Sequence, residues 1–399
     1  MFPAMRTSLV SMLAVIVTAA FFVSSSAAIA AEPYELHVIV SQTGPAGFAG
    51  GAEVSALQAL EHVTNESGGI KGRPLKMVFH DDQSSPQVSV QIANDLIAKK
   101  VPVFVGPSLV GMCAAVAPLL KSGPVGYCMS SAIFPPAGSY SFVTNPPSLE
   151  FVGAAMRYFR MKGLTHIAAL TTTDASGQDG DHSIDKFSAA LENRNVTIVA
   201  HEHFAIGDLS VAAQLTRIKA AKPDAIIIWS AGTPTLTALR GIKDAGLDDL
   251  PVAVSPANAT YLQMTQMGPI APKTLLFPST GISAQNAVTN PKQKAAIAQM
   301  TSAMAAMNLR PDILGVTGWD PGQVVVHVLR DIGPSATAEQ IRAAIANLHD
   351  FVSTNGPYDF RVFPQRGLGE NAAFMSVWDQ AKGTWVGVSG PTGIPIGMR

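Results

Sequence analysis

Charge is scarce in this 399-residue chain. Only 14% of its residues are Asp, Glu, Lys or Arg, and 27 basic against 28 acidic residues leave a formal net charge of −1. That balance offers no basic footprint for nucleic acid and no acidic tail. Beyond the first thirty residues no segment is long and apolar enough to span a bilayer. Catalytic and nucleotide motifs are missing as well. Gly106-Pro107-Ser108-Leu109-Val110 lacks the second glycine of a nucleophile elbow, which argues against a secreted α/β hydrolase. No Walker A spacing occurs, and Gly44, Gly47, Gly50 and Gly51 do not make Gly-x-Gly-x-x-Gly. There is no repeat at solenoid period and no low-complexity tract.

The start of the chain has a character of its own. Arg6 precedes an apolar run from Leu9 to Val23, which Ser24, Ser25 and Ser26 break before Ala28-Ile29-Ala30. This is the pattern of a Sec-type signal peptide over residues 1–30, cut after Ala30, with an uncleaved anchor as the alternative. No cysteine lies near the cut, against a lipoprotein anchor. The expected location is therefore periplasmic, an oxidising compartment. Cys113 falls near a helix start and Cys128 at the end of the following strand. A disulfide between them is geometrically conceivable, and buried free thiols suit the same positions.

Through most of the chain, apolar runs of strand length alternate with longer amphipathic stretches, as in βαβ units around parallel sheets. Strands are expected at 35–40, 75–79, 103–105, 125–128, 166–170, 196–200 and 225–229. Helices are expected from about 51 to 65, 111 to 120, 149 to 161, 181 to 192, 211 to 220, 235 to 245, 313 to 331 and 338 to 347. Ser85-Pro86 opens another, with a hydroxyl cap and a proline in the first turn. Thr337 and Gln340 stand at capping-box spacing. Phe374–Trp378 and Thr384–Val388 read as an antiparallel hairpin. Asn145-Pro146-Pro147, Phe277-Pro278 and Asn355-Gly356-Pro357 are candidate hinges. They divide the chain into one lobe of 32–145 plus 278–353 and another of 146–277 plus 354–399.

Several phrases resemble the type I periplasmic binding proteins, in the leucine/isoleucine/valine-binding branch. They are Ser41-Gln42-Thr43-Gly44-Pro45 after the first strand, and Asn65 through Leu75 followed by Asp81-Asp82. Val105-Gly106-Pro107-Ser108 and Thr173 through Asp179 complete the set. The resemblance implies an α/β protein of two Rossmann-like lobes with parallel sheets joined by a three-stranded hinge. It further implies a small molecule in the cleft, closure on binding, and delivery to the membrane permease of an ABC importer. A soluble ligand sensor is the rival role for the same fold. The chain is expected to work as a monomer, without cofactor or metal and without nucleic acid.

Ligands of open α/β sheets sit beyond the carboxyl ends of the strands. Ser108, Ser130 and Ser131 lie just past such ends and suit a carboxylate. Ser176 and Asn258, with Pro147 or Ser148, stand where the resemblance puts polar contacts of the second lobe, and Thr233 follows the strand end at Trp229. Tyr127, Trp229 and Phe204 lie at or near strand ends and suit an aromatic wall against a flat ligand, though core packing is the ordinary role of such residues. Branched-chain amino-acid binders hold the ligand ammonium with acidic side chains of the second lobe, and none of the matching positions here is acidic. A buried ammonium without a carboxylate costs several kcal/mol. The expected ligand is thus a small carboxylate with an apolar or aromatic body. Asp174 or Asp179, turned into the cleft, would restore an amino-acid site. His201 and His203 could share one face of a strand, but a pair without further ligands is ordinarily solvated.

Overall fold

The computed structural model describes Met1 and residues 32–397, so the expected signal peptide over residues 1–30 lies, Met1 apart, outside the described residues. The first sheet is built from β1 (Tyr34–Val40), β2 (Leu75–Asp81), β3 (Val103–Val105), β4 (Val125–Cys128) and β5 (Ser141–Val143). Its order is β2-β1-β3-β4-β5, with every neighbouring pair parallel. The short runs of β3 and β4 are buried at every position, as befits strands covered on both faces. The intervening helices are α1 (Gly47–Glu66), α2 (Pro86–Ala98) and α3 (Val110–Val116). Ser85 caps α2 by accepting from the Val88 N–H, as its sequence suggests.

The second sheet takes β6 (His166–Thr172), β7 (Thr197–Phe204), β8 (Ala225–Trp229), β9 (Val252–Val254) and β10 (Leu275–Ser279). Around them run α4 (Ser148–Met161), α5 (Ala175–Ser188), α6 (Ala212–Ala220), α7 (Thr233–Asp244) and α8 (Tyr261–Met267). The chain then forms α9 (Pro291–Ala305), α10 (Ile313–Ile332) and α11 (Ala338–Asn347), and α10 packs along α1. A small antiparallel pair, β11 (Phe351–Ser353) and β12 (Gly356–Tyr358), follows. The anticipated hairpin, β13 (Phe374–Asp379) and β14 (Thr384–Gly387), adds antiparallel strands to one edge of the second sheet, so that this sheet is mixed. Its order is β14-β13-β10-β9-β8-β6-β7, which leaves β7 at the far edge. The capping box at Thr337 and Gln340 is present.

Two helices begin well ahead of their expected starts, for one reason. The glycine-rich stretch after β1 is the first turns of α1, not a loop. A Cβ on Gly50 would lie 2.0 Å from the Ser41 carbonyl oxygen, so only glycine lets the helix begin against the strand it follows. The second sheet repeats the device: a Cβ on Gly177 would lie 1.7 Å from the Thr172 carbonyl oxygen. Asp174 caps α5 there, its Oδ1 accepting the Gly177 N–H at 3.1 Å. Residues 175–179, ahead of the start expected at 181, are therefore helix.

The chain passes between the sheets at residues 144–147, 280–290 and 359–373. Pro278 itself lies inside β10 opposite Met375. The pairing with β9 ends at Leu276, so the missing N–H of the proline costs that side of the ladder nothing. The expected hinge at Asn355-Gly356-Pro357 is instead the turn and second strand of the β11–β12 pair, and Asn355 reaches the first crossing from there, its Nδ2 donating to Asn145 Oδ1 at 2.8 Å. Arg366, buried, donates to the carbonyl of Asn145 at 2.8 Å and of Ile133 at 2.6 Å. Beneath them Asp320, fully buried in α10, accepts from Ser353, Thr354, Asn355 and Tyr358. Of the two readings for the cysteines, the disulfide Cys113–Cys128 is the one present; it pins α3 to the end of β4.

Candidate functional site

The carboxyl ends of both sheets open on one cavity of about 660 Å³, a volume suited to a small molecule. Pro45, Phe48, Ser84, Leu109, Met112, Ser130 and Ser131 line it from the first sheet's loops and helix starts. Ser148, Thr172, Asp174, Ser176, Ile206, Trp229, Thr233, Gln263 and Gln266 line it from the second. Leu314 of α10 adds an apolar contact.

Five of the residues expected from sequence meet here: Ser130, Ser131, Ser176, Thr233 and Trp229. Ser176 reaches the cavity from the first turn of α5 and Thr233 from that of α7. Trp229 closes β8 with its indole packed over Gly180, where a Cβ would approach it to 2.4 Å.

The other four sit behind the wall. Ser108 Oγ donates to Glu53 Oε2 at 2.5 Å and accepts from the Ser41 N–H at 3.1 Å. Thr317 Oγ1 donates to the other oxygen of Glu53 at 3.0 Å. Burial pushes Glu53 up to about 7, with the Ser108 and Thr317 hydroxyls opposing and the Asp82 carboxylate adding. Ser108 is thus held as a positioning group for the loop that carries Leu109 and Val110. Asn258 does similar work across the cavity. Its Oδ1 accepts the Gly232 N–H at 3.1 Å, and its Nδ2 donates to the Ser230 carbonyl at 2.7 Å. Tyr127 is fully buried beside Phe142, and burial raises its phenol well above the usual range. Phe204 is buried in the core.

Several lining residues carry no sequence signal of their own. Phe48 stands in the glycine-rich stretch that reads as a loop, and Gln263 and Gln266 belong to α8, a short helix without clear periodicity. Leu109, Met112 and Ile206 would pass as core. The two candidate acids part company. Asp174 lines the cavity, yet its Oδ1 is already engaged by the Gly177 N–H and by Thr172 Oγ1 at 2.6 Å. Asp179 is not among the lining residues but lies beside Ser148, which is; burial raises its carboxyl, with Ser148 and Arg366 opposing. Among the described residues no Lys or Arg lines the cavity. The α7 N-terminus faces it without a capping side chain, since Gly232, at φ 70°, supplies none. Such a helix end attracts an anion.

Comparison with known proteins gives a consistent result. The family described as "Periplasmic binding protein" matches residues 34–384. The Leu/Ile/Val-binding protein homolog 3 of Brucella melitensis biotype 1 is 23% identical over 349 residues, covering 86% of this chain and 91% of its own length. Among solved structures, the branched-chain amino acid transporter substrate binding protein LivJ of Streptococcus pneumoniae, in complex with isoleucine, superposes with a TM-score of 0.73 at 19% identity, covering 90% of this chain and 99% of its own. An ABC transporter solute binding protein of R. palustris, in complex with benzoate, gives 0.72 at 19% identity, covering 91% and 97%.

Proposed function

Since the chain belongs to the periplasmic binding protein family, whose members bind rather than catalyse, we propose that it is the solute-binding component of an ABC importer and takes a small carboxylate with an apolar or aromatic body. One observation carries this reading. The cavity sets hydroxyls and an uncapped helix N-terminus around an apolar wall of Phe48, Leu109, Ile206 and Trp229. A carboxylate finds donors at Ser130, Ser131 and Thr233, while a ring or alkyl body is desolvated against the wall. Asp174 does not oppose this, because its charge is matched by the N-terminus of α5, which it caps. The isoleucine and benzoate complexes of the two structural relatives support a cavity of this kind for either ligand type.

Asp174 also favours a second reading. Its carboxylate is, among the described residues, the acidic group on the cavity wall, and a ligand ammonium docking on it would make this an amino-acid binder.

The protein is read as a periplasmic monomer of two lobes, 32–145 with 278–353 and 146–277 with 354–399. The bonding of Gln365 to Ser139, Ser141 and Val143 supports a last boundary later in the chain than residue 353. Closure over the ligand then presents the bound form to a permease. Thermal unfolding against benzoate-like acids, short aliphatic acids and branched-chain and aromatic amino acids separates the readings. A ligand at a hundred times its Kd stabilises the protein by about 2.7 kcal/mol. Stabilisation by aromatic acids that survives Asp174→Asn is expected. Stabilisation by leucine or phenylalanine alone, lost in Asp174→Asn, would replace the first reading with the second.

A further inference from the structure

The histidines of β7 acquire a partner that their sequence does not announce. β7 is the edge strand of the second sheet, and the two-residue period puts His201 and His203 on one face. Their rings stack with centroids 4.9 Å apart and planes 21° from parallel. Helix α5 crosses that face and sets Asp181 against both. Asp181 Oδ1 lies 2.7 Å from His201 Nε2, and Oδ2 lies 3.1 Å from His203 Nε2. One ligand atom from each residue falls within 4.8 Å of the other two. The carboxylate is itself held: Thr171 Oγ1 donates to Oδ1 at 2.6 Å. Glu202, between the histidines, lies on the opposite face, where Arg217 holds it at 2.6 Å.

We propose that Asp181, His201 and His203 bind a divalent transition-metal ion of the Zn²⁺ or Ni²⁺ kind, at a site distinct from the ligand cavity. Two imidazole nitrogens and one carboxylate oxygen are the donor set such ions prefer. Ca²⁺ and Mg²⁺ require six or more ligands, nearly all oxygen, and are not served by it. A tetrahedral ion with bonds of about 2.0–2.2 Å spaces its ligands by about 3.4 Å. Small side-chain rotations bring this cluster to that spacing. His203 keeps 46% of its side chain exposed, so water completes the coordination. Thr171 plays the orienting part that hydrogen-bonded groups behind a ligand commonly play. The ion clamps α5 to β7. Because α5 starts at Ser176's turn and β7 leads to Ile206, the clamp braces one wall of the cavity.

The test is isothermal titration of the chelator-treated protein, purified without a polyhistidine tag, with ZnCl₂ and NiCl₂, and with MgCl₂ as control. One ion per chain is expected for the first two and none for Mg²⁺. His201→Ala, His203→Ala and Asp181→Asn should each weaken Zn²⁺ at least tenfold. Thr171→Val should cost about tenfold, and His182→Ala, an exposed neighbour outside the cluster, should change nothing. Circular dichroism verifies that each variant is folded. Failure of Zn²⁺ and Ni²⁺ to bind, or unaltered binding in folded His201→Ala and His203→Ala, overturns the proposal.

Discussion

Glu53 lets a single proton be followed through the first sheet's buried network. Its side chain is fully buried between Ser108 and Thr317, and burial carries its carboxyl from 4.5 up to about 7. A tenfold change in proton affinity is worth about 1.4 kcal/mol, so ionising Glu53 inside the fold rather than in the unfolded chain costs about 3 kcal/mol. Between pH 4.5 and 7 the folded protein holds this proton while the unfolded chain has lost it. Stability from this group is therefore greatest below pH 4.5 and declines until about pH 7. Glu53→Gln keeps the shape and can exchange hydrogen bonds with both hydroxyls, but carries no charge. Urea unfolding of both proteins at intervals from pH 4.5 to 8 gives the difference profile, in which every other titrating group cancels. Relative to wild type, the variant should gain about 3 kcal/mol on passing from pH 4.5 to 8. Parallel profiles would show that Glu53 stays ionised or is hydrated, and would refute the reasoning.

Three further outcomes test other parts of the structure. The Cys113–Cys128 bridge closes a loop of sequence separation 15, so reduction should lower stability by about 3 kcal/mol. A Cys113→Ser, Cys128→Ser protein should then be indifferent to reductant in the same urea assay. Gly177→Ala forces a methyl against the Thr172 carbonyl and should destabilise by about 1–3 kcal/mol in thermal unfolding. Gly207→Ala, where the added carbon meets nothing within 4 Å, should change Tm little. Trp229→Ala removes both the cover over Gly180 and part of the cavity wall. It should cost about 3–5 kcal/mol of stability and weaken whichever ligand the panel identifies, whereas Trp229→Phe should recover much of both; equal affinity in a folded Trp229→Ala would remove the indole from the site.

Strands such as β3, β4 and β8 were legible to their limits because parallel strands covered on both faces are continuous apolar runs. By contrast, β5, β11 and β12 are too short for a run to stand out, and β10 carries Pro278, which reads as a hinge. The capping signals at Ser85 and Thr337 were equally readable, being local hydrogen bonds with a fixed spacing. What escaped was set by distant groups. Gly47 and Gly50 look like loop until the Gln42 and Ser41 carbonyls are placed beside them. Ser108 looks like a ligand hydroxyl until Glu53, 55 residues away, claims it, and Glu53 in turn is met by Thr317 at a separation of 264. Asn258 is absorbed by the backbone it braces. Serines past a strand end thus remain ambiguous in sequence: Ser130 and Ser131 reach the cavity and Ser108 does not, although all three share the same local signal.

The choice between acid and amino acid turns on how the two helix ends at the cavity are used. Both α5 and α7 present N-termini to it, each equivalent to roughly half a positive charge. At α5 that charge is answered within the protein, because Asp174 caps the helix through Gly177 and takes the Thr172 hydroxyl besides. At α7 it is not answered: Gly232 has no side chain to offer, and its own N–H is spent on Asn258. An anionic ligand therefore meets one neutralised helix end and one uncompensated end, with Ser130 and Ser131 opposite. An ammonium docking on Asp174 would share a carboxylate whose Oδ1 already serves the α5 cap and the Thr172 hydroxyl. The balance of fixed dipoles supports the anionic reading, and among the described residues no Lys or Arg lines the wall.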